Sequence, residues 1–199
     1  MTDVASWRPP RRSNRAARAP VLGVLALMAA LTAGWPLIDR ALNDHEPVGN
    51  GAVLELGPDD DIGLLRVVGE GWALSKSASD PHSAYALSRD GADVVAGYVD
   101  LFGGGEAGEL WSGLRRVQSV ADGDSRLGGP RSVTGTRGAK GRTGTLTRDG
   151  RTGTATLWLP PDRSYAVEVT VLAKPGTDPR VRADAMAMAR GVSFPQGTP

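Results

Sequence analysis

Histidine is the commonest general base in hydrolases, and this chain has two, His45 and His82. His82 stands in Asp80-Pro81-His82-Ser83, where an acid, a base and a hydroxyl occur within four residues. Neighbours so close in sequence seldom assemble a triad, and with Pro81 the segment reads as a surface turn. His45 lies in a stretch without periodicity, and no Gly-x-Ser-x-Gly elbow is present. The carboxylates Asp93, Asp100 and Glu168 offer a second chemistry. They would serve an envelope hydrolase or carbohydrate-active enzyme if two of them stood about 5–10 Å apart in a cleft.

Metal and nucleotide chemistry find less support. Asp122-x-Asp124 begins like a calcium loop, but Arg126 stands where the next oxygen ligand belongs and no glutamate follows at the required spacing. Asp59-Asp60-Asp61 reads as a solvated acidic run. Gly135-Thr136-Arg137-Gly138-Ala139-Lys140-Gly141 lacks the Gly-Lys-Ser/Thr ending of a phosphate loop and leads into a strand rather than a helix. The absence of cysteine removes disulfides, thiolate metal sites and a cysteine nucleophile. No metal or cofactor is therefore expected, and the residues favour a binding domain over an enzyme.

Two surfaces could bind without catalysing. Arg137, Lys140, Arg142, Arg148 and Arg151, with Arg131 nearby and only Asp149 opposing them, could form a cationic patch for an anionic envelope polymer or lipid headgroup. The bland alternative is a set of solvated strand-edge charges, which deter aggregation. Thr145, Thr154 and Trp158 share the second surface, where hydroxyls beside an aromatic ring suit sugars. β-branching alone also explains threonines on an exposed strand face.

The elements that must carry these residues follow from the pattern. Gly141–Thr147 is echoed by Gly150–Thr156, and Asp149-Gly150 between them signals a type I′ turn. A two-residue turn pairs Arg148 with Arg151, Leu146 with Gly153 and Thr145 with Thr154. Alternation then gathers Thr143, Thr145, Thr147, Thr152, Thr154, Thr156 and Trp158 on one face, predicted to be open, and Gly144, Leu146, Ala155, Leu157 and Leu159 on a core face. Tyr165–Ala173 reads as the clearest strand after the turn Pro160-Pro161-Asp162-Arg163. Earlier strands are expected at Leu64–Val68, Trp72–Lys76, Ala84–Ser88 and Ala92–Phe102, with a short one at Val53–Leu56.

A helix over Ala107–Gln118 places Ala107, Leu110, Trp111, Leu114 and Val117 on one face. Residues Ala121 to Pro130 then form a loop. A final helix starts at Thr177-Asp178-Pro179 and ends at Gly191, a residue suited to a left-handed terminal conformation, with Val181, Ala185, Met188 and Ala189 inward. Val192–Phe194 adds a last short strand. The fold class is α+β: one mainly antiparallel sheet with two packed helices, over residues 62–195.

Upstream, twenty uncharged residues run from Ala19 to Ile38, long enough to cross a bilayer as a helix. Arg8, Arg11, Arg12, Arg15 and Arg18 precede the span, and Arg40 follows it amid Asp39, Asp44 and Glu46. The positive-inside rule then puts residues 1–19 in the cytoplasm, 20–38 in the bilayer as a single pass, and the rest outside. Residues 39–61 read as a flexible spacer. A cleaved signal peptide is the competing reading, but cleavage after Ala30 or Ala33 would put Met28 or Leu31 where a small residue is preferred. Beyond residue 19 the chain carries 18 basic and 21 acidic side chains, a balance unlike that of a nucleic-acid binder.

Gly71-Trp72, Glu109-Leu110-Trp111, Tyr165-Ala166-Val167-Glu168-Val169 and Ala189-Arg190-Gly191-Val192-Ser193-Phe194 together resemble actinobacterial exported proteins with a Mog1/PsbP-like α/β/α domain. The arginine-rich, lysine-poor composition, with its abundant alanine and glycine, is similar to that of a GC-rich actinobacterial genome. The resemblance implies the fold and an accessory role in the cell envelope, and it carries no catalytic motif.

Overall fold

The computed structural model describes residues 44–58, 62–101, 107–121, 124–135 and 138–195. The basic tail, the apolar span 20–38, the Asp59-Asp60-Asp61 run and Asp122 lie outside them. Among the described residues no helix is long and apolar enough to cross a membrane.

The described residues form, in chain order, β1 (His45–Val48), β2 (Val53–Leu56), β3 (Gly63–Arg66), β4 (Trp72–Ser75), β5 (Ala84–Arg89), β6 (Ala92–Asp100), α1 (Ala107–Ala121), β7 (Arg126–Leu127), β8 (Arg131–Thr134), β9 (Lys140–Arg148), β10 (Arg151–Leu159), β11 (Tyr165–Ala173) and α2 (Pro179–Arg190). Nine strands form one sheet in the order β1-β4-β5-β6-β11-β10-β9-β7, with β8 also paired to β9. Every pairing is antiparallel, and β2 and β3 make a separate two-stranded sheet. The architecture is α+β, as the sequence pattern predicts.

The long hairpin has the expected register, with Arg148 opposite Arg151, Leu146 opposite Gly153 and Thr145 opposite Thr154. Asp149 and Gly150 both adopt left-handed backbone, at φ 50° and 70°, which turns the chain in the sense that matches strand twist. A second Asp-Gly turn, Asp90-Gly91 at φ 43° and 85°, joins β5 to β6 in the same way.

Residues 44–58 belong to the folded unit and carry two strands, so the spacer reading fails there. β1 pairs with β4 along its whole length, and Asp44 fastens its start by accepting from the Ser75 hydroxyl at 2.6 Å and the Ser77 N–H at 2.7 Å. Strands of four residues are too short to display a period, and Pro47 is tolerated because β1 is the sheet edge.

The sheet is covered on both faces. On one, α2 and the β2–β3 pair close a core that includes Leu56, Leu65, Trp72, Trp158, Val167, Val169, Val181, Ala185, Met188 and Ala189. On the other, α1 lies over β7 and β9 and closes a smaller core of Leu101, Trp111, Leu127, Leu146, Ala155, Leu157, Ala166 and Leu172. The threonine and Trp158 face is therefore not the open one: Trp158 is wholly buried there, and its indole N–H donates to Ala189 O at 2.8 Å. β11 already betrays this arrangement, because Ala166 and Leu172 are apolar on one side and Val167, Val169 and Val171 on the other.

Helix α2 starts on Asp178, whose carboxylate accepts from the Arg180 N–H at 2.7 Å, and the four inward residues are those the pattern names. Gly191 departs from expectation: its φ is −85°, and its N–H closes a tight last turn on Met188 O at 2.9 Å. Arg89 fixes the helix to the sheet by donating to Asp184 at 2.9 Å while its guanidinium lies over the Trp72 ring. Helix α1 packs through the predicted Leu110, Trp111 and Leu114 and departs from the predicted stripe at Val117. Val117 is 64% exposed, whereas Gln118 turns inward and accepts from the Ser125 hydroxyl at 3.3 Å. Trp111 is the anchor, seated on Gly144, where an added Cβ would stand 2.6 Å from its ring.

Candidate functional site

The cationic residues do not form one patch. Lys140 and Arg142 lie near the start of β9 and Arg148 at its end, so eight residues, or about 27 Å of extended chain, separate Lys140 from Arg148. Arg137 lies outside the described residues. What the hairpin does bring together is Arg148 and Arg151, and β11 adds Lys174 one position beyond its end. With Asp149, Gly150, Leu172 and Pro175 these line a hollow of about 500 Å³.

Each wall has a local cause. The Asp149-Gly150 turn sets Arg148 directly across from Arg151. Lys174 is held in place by its own N–H, which donates to Gly91 O at 2.9 Å at the neighbouring hairpin tip. Arg151 then reaches to β6, where its guanidinium donates to the Asp93 carboxylate. Leu172 pairs with Asp93 on one side and Gly153 on the other, and Gly153 presents no side chain above the sheet in that path.

The Asp93 pairing partly neutralises Arg151, and the Arg148 charge acts on the Glu168 carboxyl. Three cations outnumber Asp149 and Asp93 around a small apolar floor, an arrangement that suits an oxyanion. Lys174 was not legible as a site residue from composition, but its position follows from the register, since Ala173 pairs with Thr152 and the next row sets Lys174 beside Arg151.

The threonines occupy a different place. Thr143 and Thr145 on β9 stand opposite Thr156 and Thr154 on β10, giving a two-by-two block of hydroxyls on the α2 face. The block is not fully covered: it floors a groove of about 210 Å³ whose walls include Arg131, Met186 and Arg190. Thr145 is exposed, Thr154 is half-buried and Thr156 is buried. Trp158, expected beside them as a platform, is sealed beneath Ala189 and offers no open ring face.

The carboxylates are dispersed. Asp93 and Asp100 lie seven residues apart on β6 and so on opposite faces, and Glu168, opposite Gly97, is four residues from the Asp93 row, about 13 Å along the strand. Desolvation by burial pushes the Glu168 carboxyl up, opposed by a hydrogen bond from Thr170 and by the Arg148 charge. Asp80 accepts from the His82 N–H at 3.1 Å and the Ser83 hydroxyl at 3.1 Å, which are the bonds of a turn and leave the imidazole outside them. Those bonds hold Asp80 below the usual carboxylate range. β8 and β9 pair as antiparallel neighbours, and Gly135 N–H donates to Ala139 O at 2.8 Å just before β9. Among the described residues no group of three His, Asp or Glu side chains is placed to hold a metal ion. Compared with known proteins, the chain matches no family model and no curated protein.

Proposed function

We propose that this chain is a membrane-anchored extracytoplasmic binding or accessory domain of the cell envelope, and that it contacts an anionic envelope component through the hollow at the hairpin tips. The observation that carries the reading is the convergence of Arg148, Arg151 and Lys174 around one cavity with Asp93 and Asp149 as the acidic counterweights. The uncharged span 19–38 behind five arginines supports the anchor and its orientation. A mainly antiparallel sheet with a helix on each face accords with the resemblance to Mog1/PsbP-like envelope domains.

The full chain in detergent micelles, mixed with purified cell envelopes, tests the reading. Retention should fall as salt rises from about 50 to 200 mM, since the Debye length shortens from roughly 14 to 7 Å. Retention indifferent to salt would remove the electrostatic contact. A reporter fused after Pro199 should be active only outside the cytoplasm, and cytoplasmic activity alone would overturn the orientation.

A further inference from the structure

The threonine groove lies on the α2 face, opposite the face that carries the hollow, and shares no lining residue with it. Its floor is chemically specific. The Thr143 hydroxyl donates to Ala155 O at 3.2 Å and lies 3.0 Å from the Thr156 hydroxyl, so this pair is internally satisfied and rigid. Thr154 is different: its hydroxyl donates to the Met186 thioether sulfur at 3.4 Å, and sulfur is a weak acceptor. A half-buried hydroxyl so poorly paired gains by turning to an oxygen that enters the groove. Thr145, beside it on β9, is exposed and presents a further donor and acceptor.

Charge adds the second requirement. Arg131 on β8 sits opposite Thr143, and Arg190 ends α2, so two arginines line the groove. Among the described residues neither has a carboxylate partner. Each guanidinium can fork two N–H donors onto one oxyanion. Hydroxyl-bearing ligands are favoured on the floor and an anionic group beside the arginines. At about 210 Å³ the groove takes one ring rather than a chain.

We infer that this groove binds a monosaccharide-sized oxyanion, a sugar acid or sugar phosphate, with its hydroxyls on Thr145 and Thr154 and its acidic group between Arg131 and Arg190. The shared chemistry is a polyol with one oxyanion, and carboxylate and phosphate forms are separated by the choice of probe.

Methyl-labelled full chain in detergent would be titrated with D-glucuronate, glucose 1-phosphate, neutral methyl glucoside and inorganic phosphate, following the threonine and Met186 methyl signals. At least one acidic sugar should shift Thr143, Thr154 and Met186 saturably, at least tenfold more tightly than methyl glucoside or phosphate. R131Q/R190Q should weaken that binding at least tenfold, and T145V/T154V about fivefold, with the amide signals of Asp149 and Gly150 unmoved as a check on folding. Saturable shifts with neither acidic sugar would overturn the inference. So would phosphate binding as tightly as the sugars, or full affinity in folded T145V/T154V.

Discussion

The two faces of the large sheet are made by the same strands and put to different uses. The α2 face buries Trp72, Trp158, Val167, Val169 and Met188 in one continuous core that runs under the helix and the β2–β3 pair. The α1 face is closed by a smaller core around Trp111, where α1 lies over β7 and β9. Toward the hairpin tips it carries Arg148, Arg151, Asp93 and Glu168, with Val95 of β6, 38% exposed, between the Asp93 and Glu168 rows. A sheet strand thus secures its fold with one row of side chains and exposes chemistry with the alternate row. The difference assigns stability chiefly to one face and the charged hollow to the other.

Truncation should separate the faces most sharply at Trp158. Trp158→Ala removes a fully buried indole and leaves Ala189 O without its donor, so it should destabilise by about 3–5 kcal/mol, read by denaturant unfolding. A loss below about 1 kcal/mol would mean that the α2 face is not the main core. On the other face Gly144→Ala pushes a methyl into the Trp111 ring and should cost about 1–3 kcal/mol, because α1 must shift rather than the whole core. If it proves neutral, Trp111 does not seat where the structure puts it.

Gly150→Val forces a β-branched residue to positive φ at the turn that builds the hollow, at a cost of about 1 kcal/mol or more. An unchanged melting temperature would contradict the type I′ geometry. Glu168→Gln probes the carboxyl that the α1 face holds half-buried. Because its folded pKa is raised, no penalty exists below its ordinary value of 4.5, and the penalty grows as pH rises through the folded value. The variant should gain stability over the wild type at neutral pH and lose that gain at low pH. An advantage that persists below the ordinary value would point to packing instead. Val117→Ser, on the exposed side of α1, should change stability by less than about 0.5 kcal/mol.

How far the sequence could be read depended on how local each signal is. The Asp149-Gly150 turn fixes its own register through backbone conformation, and Asp178 with Pro179 starts α2 through one hydrogen bond, so both were legible. Which face of the hairpin is covered is decided by α2, far along the chain, and alternation alone misassigned Trp158 to an open surface. The α1 stripe was legible through Leu114, but its last inward position is Gln118, which meets Ser125, and not Val117, a choice that a helical period leaves open. β1 was missed because four residues with a proline show no pattern without β4 beside them. The cationic residues were legible as a class and not as a site, since their grouping rests on strand length and on Lys174 from β11.

The most direct measurement compares the two ends of β9. R148Q/K174Q removes two of the three cations of the hollow, whereas K140Q/R142Q removes the same number of charges at the far end of the strand. Both full-length variants would be mixed with purified envelopes at about 50 mM salt, where screening is weak. Loss of retention in R148Q/K174Q, with K140Q/R142Q held as firmly as the wild type, is the predicted result. Equal losses in the two variants would mean that only total charge matters, and undiminished retention of R148Q/K174Q would contradict the hollow as the contact site.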